Sequence, residues 1–251
     1  MHISFDQKIV LVTGAGSGVG AALVSAFAAA GASVVGLDVN EAALDERRAS
    51  FDDERRFLPI VCDVSTEDDV RRAMDATVER YGRLDIACNN AGIAQPIQRL
   101  AEVETEVFDR VFAVNVRGIF LGLKYQLPIM QEQGGGVIVN TASIGGLRGF
   151  PYLSIYNATK AAVISLTQTA AVEYGRKNIR INALCPGAFD SAMLGEHFTP
   201  EQVEYTIKDY PIKRVASAQE MANAALWLCS AQNSFMTGQA MVIDGGKTAY
   251  A

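Results

Sequence analysis

Ser143, Tyr156 and Lys160 are the residues of this chain whose types and spacing suit proton transfer. Tyr156 and Lys160 stand four apart in YNATK, and the segment runs on as AAVISLTQTAAVEY. That pattern predicts a helix carrying both side chains on one face, a turn apart. Ser143 follows VIVNTA, which reads as a buried strand. A free tyrosine titrates near ~10 and is a poor base at neutral pH. A lysine charge ~4 Å away is worth about 4 kcal/mol at an effective dielectric of 20. Such a charge would bring the phenol into the range where a general acid/base works. Taken alone, a tyrosine and a lysine sharing a helix face are also what chance supplies, so the elements around them decide.

Those elements alternate. Apolar runs at 8–13, 33–37, 57–62, 84–88, 136–141, 179–184 and 240–243 read as strands. Helical segments are expected to about Ala30, over 40–50 with Asn40 as cap, to Tyr81 after Ser65 or Thr66, over 104–130 as one long helix, to Tyr174, and over 218–229. Strict strand–helix alternation with apolar strands predicts an α/β fold, a single-domain, Rossmann-type doubly wound parallel sheet of about seven strands with helices on both faces. No linker or composition shift divides residues 1–251, and 188–211 reads as an irregular segment covering the substrate.

In such a sheet ligands bind beyond the carboxyl ends of the strands. The glycine loop Gly14–Gly20, Asp38, Asp63, Asn89–Gly92, Ser143 and Pro186-Gly187 all fall there. Gly14, Ser17, Gly18 and Val19 form a turn into a helix, where backbone N–H groups and the helix dipole can meet a pyrophosphate. Asp38, ending the next strand, can accept both hydroxyls of an adenosine ribose. The same carboxylate repels a 2′-phosphate, and neither 15–17 nor Val39-Asn40 offers a lysine or arginine to bind one. NAD is therefore expected rather than NADP. Asp63 suits either the adenine edge or the cap of the third helix.

With TGAGSGVG (13–20), CDV (62–64), NNAG (89–92), NVRG (115–118), Ser143, YNATK (156–160) and PG (186–187) in order along almost its whole length, the chain resembles the short-chain dehydrogenase/reductase family. The resemblance implies Tyr156 as acid/base. It implies Lys160 lowering the phenol's pKa and binding the nicotinamide ribose, and Ser143 bonding the substrate oxygen. It also implies that Asn115 holds a water linking the lysine to solvent. It carries cofactor contacts onto Val64, Asn90, Ala91, Gly92, Pro186 and Gly187. Ser191 stands where the family often has threonine, and keeps the hydroxyl that would meet the nicotinamide carboxamide. A homotetramer is implied as well. Two rivals share these motifs in whole or part. A 3-oxoacyl-carrier-protein reductase would favour NADPH and need a basic docking patch. A non-catalytic dinucleotide sensor would have no need for Asn115, Ser143, Tyr156 and Lys160 together.

Composition sets the outer bounds. The chain is 49% hydrophobic and 20% charged with a net charge of −6, which speaks against a nucleic-acid or anionic-membrane partner. The uncharged run between Lys8 and Asp38 is broken by glycines, so it reads as strand–turn–helix rather than a leader or a span, and a cytoplasmic setting is expected. Cys62, Cys88, Cys185 and Cys229 lack metal spacing, and the two histidines are isolated, so no metal is expected. Ile93, Gln95, Ile144, Leu153, Phe189, Met193, Leu194 and Phe198 are expected to line an apolar substrate pocket, with His197 as a polar candidate and Arg148 facing solvent. The expected substrate is an uncharged, fairly hydrophobic ketone or secondary alcohol, cyclic or aromatic. The Tyr156 helix has no charge between Lys160 and Glu173, too little polar face for a monomer surface, which predicts a symmetric interface.

Overall fold

The strand Ile9–Thr13 (β1) is five consecutive buried residues, the pattern of a strand covered on both faces. In the computed structural model, which describes residues 3–190, 199, 201 and 207–249, it lies inside a seven-stranded sheet, third from one edge. Its partners are Ser33–Asp38 (β2), Phe57–Val61 (β3), Ile86–Asn89 (β4), Gly136–Thr141 (β5), Ile179–Pro186 (β6) and Ala240–Ile243 (β7). The order is β3-β2-β1-β4-β5-β6-β7, and every pairing is parallel. Parallel neighbours need crossovers, and here helices supply them.

Gly18–Ala29 (α1), Glu41–Ala49 (α2) and Ala218–Cys229 (α7) cover one face through Leu23, Phe27, Leu44, Met221 and Leu228. Glu67–Tyr81 (α3), Gly118–Glu132 (α5) and Ser154–Tyr174 (α6) cover the other through Met74, Leu121, Leu127 and Val163. Thr105–Phe112 (α4) precedes α5. Asn40 caps α2 as expected, its side chain accepting from the Ala43 N–H at 3.2 Å. Thr66 begins α3 without a side-chain cap bond.

One element departs from expectation. The long helix over 104–130 is two helices joined by a π-helical turn at Ala113–Arg117. The extra residue in that turn puts Asn115 fully inside, a placement regular 3.6-residue spacing does not reveal.

The strand order reverses between β1 and β4, so their carboxyl ends flank the crevice where ligands bind in such sheets. Among the described residues no helix is long and apolar enough to cross a membrane.

Candidate active site

β1 runs directly into the glycine loop. Gly14 sits at φ 67°, and a Cβ there would come within 3.1 Å of the Ala91 Cα. At Gly20 a Cβ would overlap the Gly14 carbonyl oxygen, so α1 packs against the loop only without a side chain. Gly18 also has positive φ, but faces open space. Ser17 precedes α1 with no side-chain cap bond, leaving the first-turn N–H groups free for an anion. Val19, by contrast, is buried in the core.

Asp38 ends β2 with both carboxylate oxygens already oriented. One accepts from the Gly16 N–H at 2.9 Å, the other from the Asn40 N–H at 3.0 Å. A Cβ on Gly16 would stand 3.0 Å from that carboxylate and 2.7 Å from the Ala43 Cβ, so no side chain at this position can share the site. Asp63 bonds Ser65 through its N–H (2.9 Å) and hydroxyl (2.7 Å), forming a turn ahead of α3. Val64 is buried against Gly118.

The end of β4 is tied to β1 through a residue whose role sequence reasoning missed. The Thr13 hydroxyl accepts from the N–H groups of Asn90 (2.8 Å) and Ala91 (2.9 Å), and the Asn90 amide donates to the Thr13 carbonyl. Asn115 then clamps the next residue from both sides. Its Oδ1 accepts from the Ile93 N–H at 2.8 Å, while its Nδ2 donates to the Ile93 carbonyl (2.9 Å) and the Thr159 hydroxyl (3.1 Å). A Cβ at Gly92 would meet Asn115 Oδ1 at 3.2 Å and Lys160 Nζ at 3.3 Å, so this glycine keeps the loop close to the lysine.

Ser143, Tyr156 and Lys160 come together as their spacing predicts. Ser143 follows β5 and accepts from the Gly145 N–H at 3.0 Å. Its hydroxyl faces the phenol of Tyr156 and favours the phenolate there. The Lys160 ammonium donates to the Thr141 carbonyl at 2.8 Å and lies 5.6 Å from the centre of the Tyr156 ring. The electrostatics differ from expectation. The Tyr156 pKa is raised, because desolvation of its charged form outweighs the favourable effect of the Ser143 hydroxyl. Burial also pushes Lys160 down to about 8, and the nearby Cys185 thiol up to about 11. The ammonium is engaged by the Thr141 carbonyl, and the expected lowering of the phenol is absent.

The Lys160 value carries a sign. Its folded pKa lies below the usual 10.5, so between about 8 and 10.5 the unfolded chain binds more protons and the lysine's contribution to stability rises with pH. Thermal melts of cofactor-free wild type and Lys160→Met should therefore show a Tm difference that moves in favour of wild type as pH rises from 8 to 10. A difference constant with pH would contradict the desolvated lysine.

The expected substrate wall is only partly as predicted. Ile144 is buried in the turn after Ser143, Leu153 is the residue before α6, and Phe189 bridges to Ala216. Arg148 is exposed. Gln95 does not present free polar atoms to a cleft. It is fully buried and its amide is engaged by the backbone of residues 152–156. Pro186 ends β6, and the Gly187 N–H donates to Ile243 O at 2.9 Å, placing this turn beside β7. Ser191, Met193, Leu194, His197 and Phe198 lie outside the described residues. Among the described residues no three His, Cys, Asp or Glu side chains group as metal ligands.

The glycine-lined turn beyond β1, the aspartate ending β2 and the serine–tyrosine–lysine cluster beyond β5 define a Rossmann-type oxidoreductase. The chain belongs to the short-chain dehydrogenase/reductase family: residues 14–248 match the family model described as enoyl-(acyl carrier protein) reductase. It is 40% identical to levodione reductase of Leifsonia aquatica, over 98% of this chain and 96% of that protein. It is also 40% identical to cis-4-hydroxycyclohexanecarboxylate dehydrogenase of Sinomonas cyclohexanicum, over 99% and 100%. The crystal structure of levodione reductase superposes with a TM-score of 0.94, covering 98% of this chain and 100% of that one. A 3-ketoacyl-(acyl-carrier-protein) reductase from Brucella melitensis, solved with NADH, is 38% identical and gives 0.92, covering 98% and 100%. This chain is accordingly an oxidoreductase acting on CH–OH groups with a nicotinamide cofactor, NAD or NADP.

Proposed function

We propose that this chain is an NAD-dependent dehydrogenase/reductase of a cyclic secondary alcohol and its ketone, with Tyr156 as acid/base. The observation that carries the reading is the convergence of Ser143, Tyr156 and Lys160 at the strand ends beside Gly92 and Asn115. The residues present fit the cofactor: Gly18 faces open space where a pyrophosphate could lie, and Gly16 brings its N–H to the Asp38 carboxylate with no side chain in the way. Gly14, Ser17, Gly18 and Val19 would hold the pyrophosphate, and Asp38 the adenosine ribose. Asp63 and Val64 would lie along the adenine. Asn90, Ala91, Gly92, Lys160, Pro186, Gly187 and Ser191 would meet the nicotinamide half. When bound, NAD supplies the hydride acceptor or donor.

The protein's own work is positional and electrostatic. Ser143 donates its hydroxyl to the substrate oxygen. Tyr156 takes the alcohol proton during oxidation and returns it during reduction. Lys160 would hold the nicotinamide ribose, and its charge beside the Tyr156 ring favours phenolate. Asn115 fixes the loop at Ile93 and holds the water through which the lysine exchanges protons. The substrate reading rests on the ring compounds in the relatives' names and on the uncharged side chains Ile93, Ile144 and Leu153. Four buried free cysteines suit a reducing cytoplasm. Exposed Phe108, Phe120 and Val172 on α4, α5 and α6 support a homotetramer built on that face.

The test is a panel of cyclic and open-chain secondary alcohols, neutral and carboxylated, with NAD⁺ or NADP⁺, followed by absorbance of the reduced cofactor. NAD⁺-dependent oxidation of neutral ring alcohols is expected; preference for carboxylated or open-chain substrates would count against the substrate class. The resemblance to 3-ketoacyl-carrier-protein reductases keeps one second reading, which faster acetoacetyl-thioester reduction with NADPH would favour.

A further inference from the structure

The first turn of α6 has no cap of its own. The opening N–H groups of a helix lack intrahelical partners, and a Ser, Thr, Asp or Asn side chain ordinarily accepts from the second or third of them. Here the cap position is Leu153, which has no acceptor, and the Ser154 hydroxyl bonds nothing. The acceptor comes instead from 60 residues upstream. Gln95 Oε1 accepts from the N–H of Ile155 at 2.6 Å and from the N–H of Tyr156 itself at 2.9 Å. Its Nε2 donates to the Tyr152 carbonyl at 3.3 Å, and the Gln98 N–H donates to that same carbonyl. Tyr152 has φ 65°, a left-handed backbone that a non-glycine residue keeps only when its surroundings hold it.

We propose that Gln95 is the surrogate N-cap of the catalytic helix and a positioning residue for Tyr156, tying the phenol to the loop that also carries Gly92 and Ile93. This rests on the reading of Tyr156 as acid/base. The 92–98 segment is pinned to α6 twice, through Asn115 to Thr159 and through Gln95 to Ile155 and Tyr156. Any displacement of the loop is thereby passed to the tyrosine backbone. Gln95 also sets the field there. Its carbonyl dipole opposes the positive helix terminus that favours an anion at the third helical residue. The other groups facing the phenol are Lys160 on α6, the Ser143 hydroxyl after β5 and Cys185 on β6; the substitutions below leave all three in place.

The test compares wild type, Gln95→Ala and the near-isosteric Gln95→Glu. Ser217→Ala, which removes the capping box of α7, serves as a control for the mere loss of a helix cap. Ultraviolet titration, each protein minus its Tyr156→Phe counterpart, isolates the Tyr156 phenolate without any substrate. Gln95→Glu places an anion on the terminus and should move the midpoint upward; Gln95→Ala removes the opposing dipole and should move it downward. With an alcohol oxidised in the panel above, Gln95→Ala should lose about ten- to a hundredfold in kcat, as small misplacements do. Its KM for NAD⁺ should change less, and Gln95→Glu should recover most of the rate at high pH. Ser217→Ala should lower Tm and leave midpoint and kcat at wild-type values. Midpoints unchanged in both Gln95 variants, or moving the same way, overturn the proposal, as does wild-type kcat in Gln95→Ala. Absence of turnover by wild type across the panel would instead overturn the acid/base reading, with the titration still judging Gln95.

Discussion

Tyr156→Phe is expected to lower kcat for alcohol oxidation by about 10²- to 10⁴-fold, the usual worth of a positioned acid/base. Its affinity for NAD⁺ should stay within a few-fold of wild type. The substitution removes one oxygen and keeps the ring. Ser143 keeps its bond from the Gly145 N–H. Lys160 keeps its bond to Thr141 and Asn115 keeps Ile93 and Thr159, so the surrounding frame is not dismantled. Only the proton acceptor is lost. Steady-state kinetics with calorimetric titration of NAD⁺ separates the outcomes. A large kcat loss with intact binding supports the role; turnover within threefold of wild type excludes it.

Asp38→Ala should reduce the ratio of kcat/KM for NAD⁺ over NADP⁺ by about a hundredfold. Each hydrogen bond to a charged acceptor contributes about 1.5–3 kcal/mol, and on the proposed reading the carboxylate would accept two from the ribose. Its oxygens are fixed by the Gly16 and Asn40 N–H groups, so little ordering is left for binding. Removing the charge also removes repulsion of a 2′-phosphate, so the change should divide between weaker NAD⁺ and stronger NADP⁺. Asp38→Asn retains the shape without the charge and should give most of the NADP⁺ gain. If both variants keep the wild-type ratio, Asp38 does not select the cofactor.

The residues legible in the sequence are those whose placement follows from strand ends. Asp38, Asp63, Asn90 and Ser143 stand at or just beyond the ends of short apolar runs, and a parallel sheet delivers such positions to one edge. Tyr156 and Lys160 were legible because a four-residue spacing on a helix needs no tertiary knowledge. The hydrogen bonds of Gln95 to Ile155 and Tyr156 are not legible, since those partners lie 60 and 61 residues away and no local pattern encodes them. The π turn at Asn115 was hidden because the apolar pattern on its two sides is helical either way. The direction of the Tyr156 shift was also hidden. It depends on desolvation of the buried phenol, which spacing along one helix does not report.

That last difference locates the central claim. Burial raises the phenol, so Tyr156 works as a base near neutral pH only where the Lys160 charge offsets that cost. The most direct measurement is the Tyr156 phenolate midpoint, from wild type minus Tyr156→Phe difference titrations, with and without saturating NAD⁺. The account predicts a midpoint above ~10 without cofactor and well below that with NAD⁺ bound, the drop disappearing in Lys160→Met. A midpoint that NAD⁺ leaves unchanged would contradict it.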